Sequence, residues 1–274
     1  MEQVVDITRA RAICAASPRP LGFVPTMGAL HAGHLELVAS ARMKCAQVAA
    51  SIFVNPLQFG PNEDLARYPR DLDADARKLA AAGVDTLFAP TAATMYPPGF
   101  TASVDPGPVA GVFEGAVRPG HFRGVATVIA KLLNIVQPDV LFLGQKDAQQ
   151  GVILRRTIAD LDFGAQLEIV PTVREADGLA MSSRNRYLDS SQRAQAPTLY
   201  LALLAMREAL ERGENRENAI AGGVARLSAS AVLDYLDVVD AETFVPLEHL
   251  RAPAFIIGAA RFGATRLIDN LWVR

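Results

Sequence analysis

The sequence predicts an α/β protein in which a doubly wound parallel sheet is followed by a smaller C-terminal α+β domain. The chain has 274 residues, half of them hydrophobic, which is enough to bury a sizeable core. Up to about residue 174, short runs rich in β-branched residues alternate with segments that carry apolar residues at helical spacing, a pattern typical of parallel sheets covered on both faces. This alternation stops after Arg186. We therefore place the domains at residues 1–174 and 175–274.

Each predicted element of the first domain rests on its own local pattern. The β-branched runs predict strands over residues 21–25, 48–54, 84–90, 139–144 and 166–171. Apolar residues at helical spacing predict helices over residues 35–44, 72–83, 123–136 and 147–160. A long connection, residues 91–122, is rich in Gly and Pro, and we expect it to be a functional loop or flap.

The second domain begins with predicted helices. A long amphipathic helix is predicted over residues 187–213, with Asp189 or Ser190 as its N-cap and Gly213 at its end. A second helix is predicted from about Arg216. Antiparallel strands are then predicted over residues 233–240, 253–263 and 265–273.

Composition and charge exclude several classes of partner. With a net charge of -2 and a pI near 6.1, the chain has no basic surplus for nucleic acid or an anionic membrane surface. The longest apolar stretch is interrupted by Lys131, and the N-terminus does not resemble a signal peptide. Cys14 and Cys45 read as buried thiols, with no disulfide or cysteine-bound metal. We expect a cytoplasmic protein that binds neither nucleic acid nor membrane.

The segment PTMGALHAGH, residues 25–34, is a candidate phosphate site. It follows a predicted strand and enters a predicted helix, whose N-terminus attracts anions, and Gly28 and Gly33 leave room for a phosphate near the backbone. His31 and His34 lie three residues apart, so both can face the same anion. The alternative is a tight turn with two solvated or helix-capping histidines. Neither a Walker loop, a dinucleotide fingerprint nor a third zinc ligand accompanies the pair.

A second candidate phosphate site is MSSRN, residues 181–185. The hydroxyls of Ser182 and Ser183 and the guanidinium of Arg184 can donate several hydrogen bonds to a polyphosphate. The alternative is a helix-capping loop with an exposed arginine. We expect this loop to bind the same ligand as the histidine pair.

A third segment, GQKDAQQ, follows the strand that ends near Gly144. Lys146 can neutralise charge on a phosphate, and Gln150, one turn later, faces the same crevice. Asp147 either caps the following helix, which is the more general case, or accepts a hydrogen bond from a ribose.

The segment NPLQFGPNEDLARYPRD follows the second predicted strand. Asn55, Gln58 and Tyr68 supply neutral donors and acceptors that suit a small polar substrate. A surface loop is the alternative, and for Tyr68 it is the favoured one.

Five segments, in this order and spacing, resemble the pantothenate synthetase (pantoate–β-alanine ligase) family of the HxGH nucleotidyltransferase superfamily. They are PTMGALHAGH, FVNPLQF, RPGHFRGV, LFLGQKDAQQ and MSSRN. TMGALHAGH is similar to the HxGH element of class I aminoacyl-tRNA synthetases, and AMSSRN is similar to their KMSKS-type loop. Ser183 and Arg184 stand where a strict KMSKS motif has its second lysine, which is the form that the resembled family has.

The resemblance implies a two-step reaction in which ATP and pantoate give pantoyl adenylate and pyrophosphate, and β-alanine then gives pantothenate and AMP. It also implies a Rossmann-like N-terminal domain, a C-terminal lid, a homodimer, and Mg²⁺ carried on the ATP phosphates. No side chain is an obvious general base for the amine step.

The resemblance also implies roles for individual residues. His34 would be the catalytic acid with His31 beside it on the phosphates, and the other charge-stabilising residues would be Lys146, Ser182, Ser183 and Arg184. The ATP-binding set would be Met27, Gly28, Ala29, Leu30, His31, Ala32, Gly33, His34, Gly144, Gln145, Lys146, Asp147, Val173, Met181, Ser182, Ser183 and Arg184. Val173 would contact adenine through its backbone. Gln58 and Gln150 would hold pantoate, with Gln58 also near β-alanine and Asn55 in the same substrate-binding group.

Three other functions compete with this one. A cytidylyl- or adenylyltransferase of the same superfamily would release pyrophosphate without joining an amine. An RNA-binding module would need stripes of Lys and Arg with interleaved aromatic residues, which the sequence lacks. A structural scaffold would not need four polar loops at one edge of a sheet.

Overall fold

A computed structural model describes residues 1–61 and 63–274. The chain divides into two compact units. The first consists of Met1–Gly144 and Ile153–Val170, and the second of Gln145–Val152 and Pro171–Arg274. The domain boundary between residues 174 and 175 stays a prediction.

The first unit is built on a parallel sheet, as the sequence predicts. Its strands are β1 (Glu2–Val4), β2 (Leu21–Thr26), β3 (Gln47–Ile52), β4 (Thr86–Phe88), β5 (Val140–Gly144) and β6 (Gln166–Val170). They lie in the order β1-β4-β3-β2-β5-β6, and each of these neighbouring pairs is parallel. Strand β1 is absent from the prediction, because three residues at the edge of a sheet are too short to show a periodic pattern.

The helices associated with the first unit cover both faces of this sheet. They are α1 (Ile7–Ala16), α2 (Ala32–Lys44), α3 (Leu72–Ala81), α4 (Ala92–Met95), α5 (Glu114–Val117), α6 (His121–Val136) and α7 (Ala148–Asp160), of which α7 begins in the second unit. One apolar cluster joins α1 and α6 to the sheet, and another joins α2 and α3 to it. Cys14 lies in the first cluster and Cys45 in the second, and both are free thiols. The doubly wound fold class is confirmed.

The long Gly- and Pro-rich connection contains short helical turns that the prediction does not include. Helices α4 and α5 have four residues each, which is too short for an apolar period to show in the sequence. Helix α2 begins at Ala32 and α6 at His121, three and two residues before the predicted starts at 35 and 123.

The second unit contains a small antiparallel sheet with helices. Its strands are β7 (Ala231–Asp240), β8 (Ala254–Phe262) and β9 (Thr265–Val273), in the order β7-β8-β9. Its helices are α8 (Ser190–Gln195), α9 (Thr198–Glu211) and α10 (Arg216–Val224). Asp189 is the N-cap of α8, as predicted. The prediction of one continuous helix is wrong, because Pro197 has no N–H to donate and the chain breaks there into α8 and α9.

Within residues 1–61 and 63–274, no helix has both the length and the apolar character needed to cross a bilayer.

Candidate active site

The order in which the chain adds strands to the parallel sheet reverses between β2 and β5. From β2 the chain adds β3 and β4 on one side, and it later adds β5 and β6 on the other. Ligands of open α/β sheets bind outside the carboxyl ends of the strands at such a point. Strand β2 leads directly into the Met27–His34 segment, and β5 ends at Gly144, the first residue of the GQKD segment.

The loop after β2 has an unusual backbone that a buried carboxylate holds. Gly28 and Ala29 have φ angles of +82° and +52°, and Ala29 is strained in this left-handed region because it has a Cβ. Asp75 of α3 is 2% exposed and accepts hydrogen bonds from the backbone N–H groups of Ala29 at 2.7 Å and Leu30 at 3.0 Å. The turn that precedes the two histidines is therefore hydrogen bonded to α3.

A lysine on the same helix completes this attachment. Lys78 Nζ donates to the Leu30 carbonyl at 2.9 Å and lies 3.5 Å from Asp75 Oδ1, where its charge partly balances the buried carboxylate. Neither residue is among the predicted site residues. A signal was present, because Asp75 stands three residues after Leu72 and four before Leu79, on the apolar stripe of a predicted helix.

The two histidines lie together at the start of α2. His31 is the N-cap residue, and the ring centroids of His31 and His34 are 4.1 Å apart, so the two side chains share one side of the helix as expected. His34 Nδ1 accepts from the backbone N–H of His31 at 3.4 Å. With Nδ1 as acceptor, His34 can carry a proton on Nε2. This arrangement combines the helix-capping alternative with a ring N–H that can serve as a donor.

Asn55 and Gln58 are buried, whereas Leu57 between them is exposed. Asn55 is 1% exposed, and its amide is hydrogen bonded to Gln58 Oε1 at 3.0 Å, the Gly124 carbonyl at 3.1 Å, the Tyr96 hydroxyl at 2.8 Å and the Leu57 N–H at 3.3 Å. In this structure Asn55 orders the segment, and its direct contact with substrate stays a prediction.

The side chain of Gln58 connects this segment to the loop after β2. Gln58 Nε2 lies 3.1 Å from Met27 Sδ, so the structure brings together one predicted pantoate residue and one predicted ATP residue. Tyr68 is 6% exposed and packs edge-on against Phe59, with ring centroids 5.9 Å apart. The favoured surface location for Tyr68 is therefore wrong.

The RPGHF segment holds the backbone of Gln58. His121 Nδ1 and Arg118 Nη2 both donate to the Gln58 carbonyl, at 2.9 and 3.3 Å, and Arg118 Nη1 lies 3.1 Å from His121 Nε2. Because the carbonyl only accepts and the guanidinium only donates, His121 is neutral with its proton on Nδ1. Burial, together with the charge of Arg118, lowers the pKa of His121 to about 4. Arg118 is itself fixed by Glu63, with Nε 2.9 Å from Oε1.

A glycine in α6 allows this segment to lie close to the helix. A Cβ at Gly124 would stand 2.2 Å from the Leu57 carbonyl oxygen and 2.6 Å from the Gln58 backbone nitrogen. These atoms belong to the backbone and cannot rotate away. Gly124 is therefore required for the observed position of Gln58.

In the second unit, residues Gln145–Asp147 of the GQKD segment form a 3₁₀ turn that leads into α7. Lys146 is largely buried, and its Nζ lies 3.3 Å from Asp147 Oδ1. Gln150 follows in the first turn of α7 and is half-buried. The charge of Lys146 thus lies beside the carboxylate of Asp147, and the predicted contacts of both residues with ATP stay predictions.

The MSSRN segment, also in the second unit, forms a turn that its own hydrogen bonds stabilise. Ser182 caps a 3₁₀ turn, Ser183–Tyr187, by accepting from the Arg184 N–H at 3.3 Å. Met181 N–H donates to the Val173 carbonyl at 3.0 Å, which ties two of the predicted ATP-binding residues together. Asn185 Nδ2 donates to Glu175 Oε1 at 3.0 Å and to the Ala180 carbonyl at 3.2 Å.

Comparison with known proteins identifies the family. The sequence model described as pantoate-beta-alanine ligase matches residues 1–272. The chain is 50% identical to a pantothenate synthetase from Acidiphilium cryptum, covering 100% of this chain and 99% of the relative. It is 53% identical to the pantothenate synthetase of Thermus thermophilus, and the match covers 94% of this chain and 95% of that relative.

Solved structures agree with the sequence comparison. A crystal structure of the Thermus thermophilus pantothenate synthetase matches with a TM-score of 0.94 and 52% identity over 99% of both chains. A pantoate-beta-alanine ligase from Francisella tularensis, solved in complex with beta-gamma ATP and beta-alanine, matches with a TM-score of 0.81 and 35% identity over 99% of this chain and 97% of that one. This chain belongs to the pantoate-beta-alanine ligase family.

Proposed function

We propose that the protein condenses pantoate with β-alanine at the expense of ATP, through a pantoyl-adenylate intermediate. The observation that carries this proposal is the match, over nearly the whole of both chains, to the Francisella tularensis ligase that was solved with beta-gamma ATP and beta-alanine. The sequence identities of 50% and 53% to the pantothenate synthetases of Acidiphilium cryptum and Thermus thermophilus support the same activity.

In the first step, a carboxylate oxygen of pantoate attacks the α-phosphorus of ATP. A new P–O bond forms, the bond from the α-phosphorus to the bridging oxygen breaks, and pyrophosphate leaves with the electron pair. Negative charge accumulates on the phosphate oxygens, so the protein mainly positions the reactants and stabilises that charge. In our proposal the Nε2–H of His34 acts as a donor to the phosphates, with His31 beside it.

Donors of the second unit serve the same step in this proposal. Lys146 contributes a positive charge, and Ser182, Ser183 and Arg184 contribute hydroxyl and guanidinium donors. The backbone of Val173 contacts adenine. Gln145, Asp147 and Met181 complete the ATP-binding residues of the second unit, and Gly144, at the end of β5 in the first unit, belongs to the same set in this proposal.

In the second step, the amine of β-alanine attacks the acyl carbon of pantoyl adenylate. A C–N bond forms, the bond between the acyl carbon and the phosphate oxygen breaks, AMP leaves with the electron pair, and the nitrogen releases one proton. The attacking amine must be neutral, whereas alkyl amines are protonated at neutral pH. We assign the binding of pantoate to Gln58 and Gln150, and we place Gln58 near β-alanine as well.

The family resemblance extends the proposal to the metal, the assembly and the cell compartment. We infer that Mg²⁺ enters bound to the ATP phosphates, where it shields their charge. Among residues 1–61 and 63–274, no three His, Cys, Asp or Glu side chains are grouped as metal ligands, so these residues offer no multidentate cage of their own. We further propose a homodimer in the cytoplasm.

The test is an omission assay with protein, ATP, Mg²⁺, pantoate and β-alanine, in which AMP and pyrophosphate are followed separately. Steady release of AMP should require all three substrates. Without β-alanine, pyrophosphate should stop at about one equivalent per enzyme, because the adenylate stays bound. Continued pyrophosphate release without β-alanine and without AMP would instead indicate a nucleotidyltransferase that never joins an amine.

A further inference from the structure

Strand β9 carries two adjacent buried polar residues that the proposed reaction does not use. Asp269 is 5% exposed and Asn270 is 2% exposed. Because side chains alternate along a strand, the two point to opposite faces of the small sheet. Buried polar groups of native proteins have hydrogen-bond partners, so the partners show what each residue holds.

Asn270 holds the segment that carries Lys146. Its Nδ2 donates to the carbonyl oxygens of Gln145 and Lys146, both at 2.9 Å, and its Oδ1 accepts from Gln145 Nε2 at 3.1 Å. The two carbonyls can only accept, which sets the orientation of the amide. An amide is also the side chain that can both donate to these carbonyls and accept from Gln145.

Asp269 holds the segment that carries Val173. Its carboxylate is paired with Arg174, Nη1 to Oδ2 at 2.6 Å and Nη2 to Oδ1 at 2.9 Å. The same guanidinium donates to the Gly178 carbonyl at 3.0 Å and lies 3.9 Å from the centroid of the Tyr200 ring. Arg174 is therefore fixed from several sides.

Arg174 lies at the base of the loop that ends in MSSRN. It forms an isolated antiparallel bridge with Ala180, and the next residue, Met181, donates to the carbonyl of Val173. A change at Arg174 therefore reaches Val173 and Met181 through backbone hydrogen bonds. The turn that follows Met181 contains Ser182, Ser183 and Arg184.

We propose that Asp269 and Asn270 are positioning residues for the adenylation step. Asn270 fixes Lys146, and Asp269 acts through Arg174 to fix Val173 and the Ser182–Arg184 turn, so one strand sets the relative position of both nucleotide-contacting segments of the second unit. This inference rests on the proposed function. The physical reason is that charge stabilisation depends on placement, and a displacement of about 1 Å can cost roughly 100-fold in rate.

The experiment measures steady-state AMP formation by Asn270→Ala with ATP, Mg²⁺, pantoate and β-alanine all present, and it determines kcat and the KM for ATP separately. We expect kcat to fall by roughly 10- to 100-fold, because Lys146 is less well placed in the transition state. The KM for ATP should change by less than about threefold, since ground-state binding is shared among many contacts.

A double-mutant cycle shows whether the effect passes through Lys146. Single-turnover reactions with excess enzyme compare Lys146→Ala with the double variant Lys146→Ala/Asn270→Ala. If Asn270 acts by placing Lys146, its removal should cost less than about twofold once Lys146 is absent. Independent, multiplicative losses would overturn the role of Asn270.

A matched control separates positioning from general support of the sheet. Asp237 of β7 is 5% exposed and is paired with Arg216 through two hydrogen bonds of 2.6 Å, away from both nucleotide segments in the chain. Asp269→Asn should lower kcat at least about tenfold more than Asp237→Asn at a comparable loss of stability. Equal losses in the two variants would overturn the role of Asp269.

Two further arms keep the outcome decisive. If Asn270→Ala does not fold, the nearly isosteric Asn270→Asp, which lacks the donor to both carbonyls, replaces it and should show the same loss of kcat. If wild-type protein forms no pantoyl adenylate at all, the proposed function has failed. If wild-type protein is active and the Asn270 variants are equally active, only this inference has failed.

Discussion

The carboxylate of Asp75 accepts a 2.7 Å hydrogen bond from the backbone N–H of Ala29, a residue held at a φ of +52°. A left-handed conformation costs a residue with a Cβ about 1–2 kcal/mol, so the turn needs compensating contacts. Asp75 supplies two of them, at Ala29 and Leu30, and Lys78 supplies a third at the Leu30 carbonyl. The position of the histidine pair after β2 thus depends on a helix more than 40 residues further along the chain.

Asp75→Asn should lower the rate of adenylate formation. An amide keeps the size of the carboxylate but cannot accept through its nitrogen, so one N–H of the turn loses its partner in the interior. We expect a loss of about 1–3 kcal/mol in the free energy of unfolding. We also expect kcat to fall roughly 10- to 100-fold as the histidines shift.

Urea unfolding and a pyrophosphate-release assay measure these two effects, with Asp73→Asn on the exposed side of the same helix as the control. Equal kcat values for the two variants would show that Asp75 does not place the histidines.

The sequence reveals the elements and the loops of this fold better than the contacts that hold those loops. Periodic patterns are local, and they correctly predict strands β2 to β9. The acceptor role of Asp75 depends on which residues α3 meets in space. The bonds between Asn270 and Gln145 join residues 125 apart, and in the sequence Asn270 looks like an ordinary polar position of a strand. The helix break at Pro197 could have been predicted more easily than the contacts of Asp75 and Asn270, because proline lacks the N–H that a continuous helix needs.

Gly124→Ala should damage the proposed pantoate site. The new methyl group would stand 2.2 Å from the backbone carbonyl oxygen of Leu57. Because a backbone atom cannot rotate away, α6 and the Asn55–Gln58 segment must move apart. We expect a loss of about 1–3 kcal/mol in the free energy of unfolding. The KM for pantoate should rise at least about tenfold, because Gln58 moves with the segment.

Gly222→Ala is the matched control, since Gly222 also lies in a helix but a Cβ there would meet nothing within 4 Å. That variant should keep wild-type kinetics and gain up to about 1 kcal/mol from helix propensity. An unchanged KM for pantoate in Gly124→Ala would contradict the proposed place of Gln58.

The free energy of unfolding should decrease as the pH falls, because His121 is buried as a neutral ring. The unfolded chain binds a proton at this residue below a pH near 6.5, whereas the folded protein does so only below about 4. The folded pKa is thus lowered, so the stabilising contribution is present above the unfolded pKa and is lost as the pH falls toward the folded one. Between about pH 7 and pH 5 this linkage should remove about 2 kcal/mol from the free energy of unfolding.

The comparison is between wild type and His121→Asn, in which the amide keeps a donor for the Gln58 carbonyl but does not titrate. Urea unfolding at both pH values gives the two slopes. Between pH 7 and pH 5 the free energy of unfolding should fall by about 2 kcal/mol more in wild type than in His121→Asn. An equal fall in the two proteins would mean that His121 is not buried as a neutral ring.

His34→Ala should abolish adenylate formation while leaving the fold intact. His34 is partly exposed at the start of α2, where its Nδ1 accepts from the His31 N–H. In the proposed reaction its Nε2–H is the donor to the phosphates. Loss of one such donor typically costs about 100- to 1000-fold in kcat, or roughly 3–4 kcal/mol of transition-state stabilisation. The thermal midpoint should fall only slightly, since the 3.4 Å capping contact is long. Pyrophosphate release under single-turnover conditions provides the measurement, and His249→Ala, at an exposed position of the second unit, is the control. Pantoyl adenylate that still accumulated at a near wild-type rate would remove His34 from the reaction.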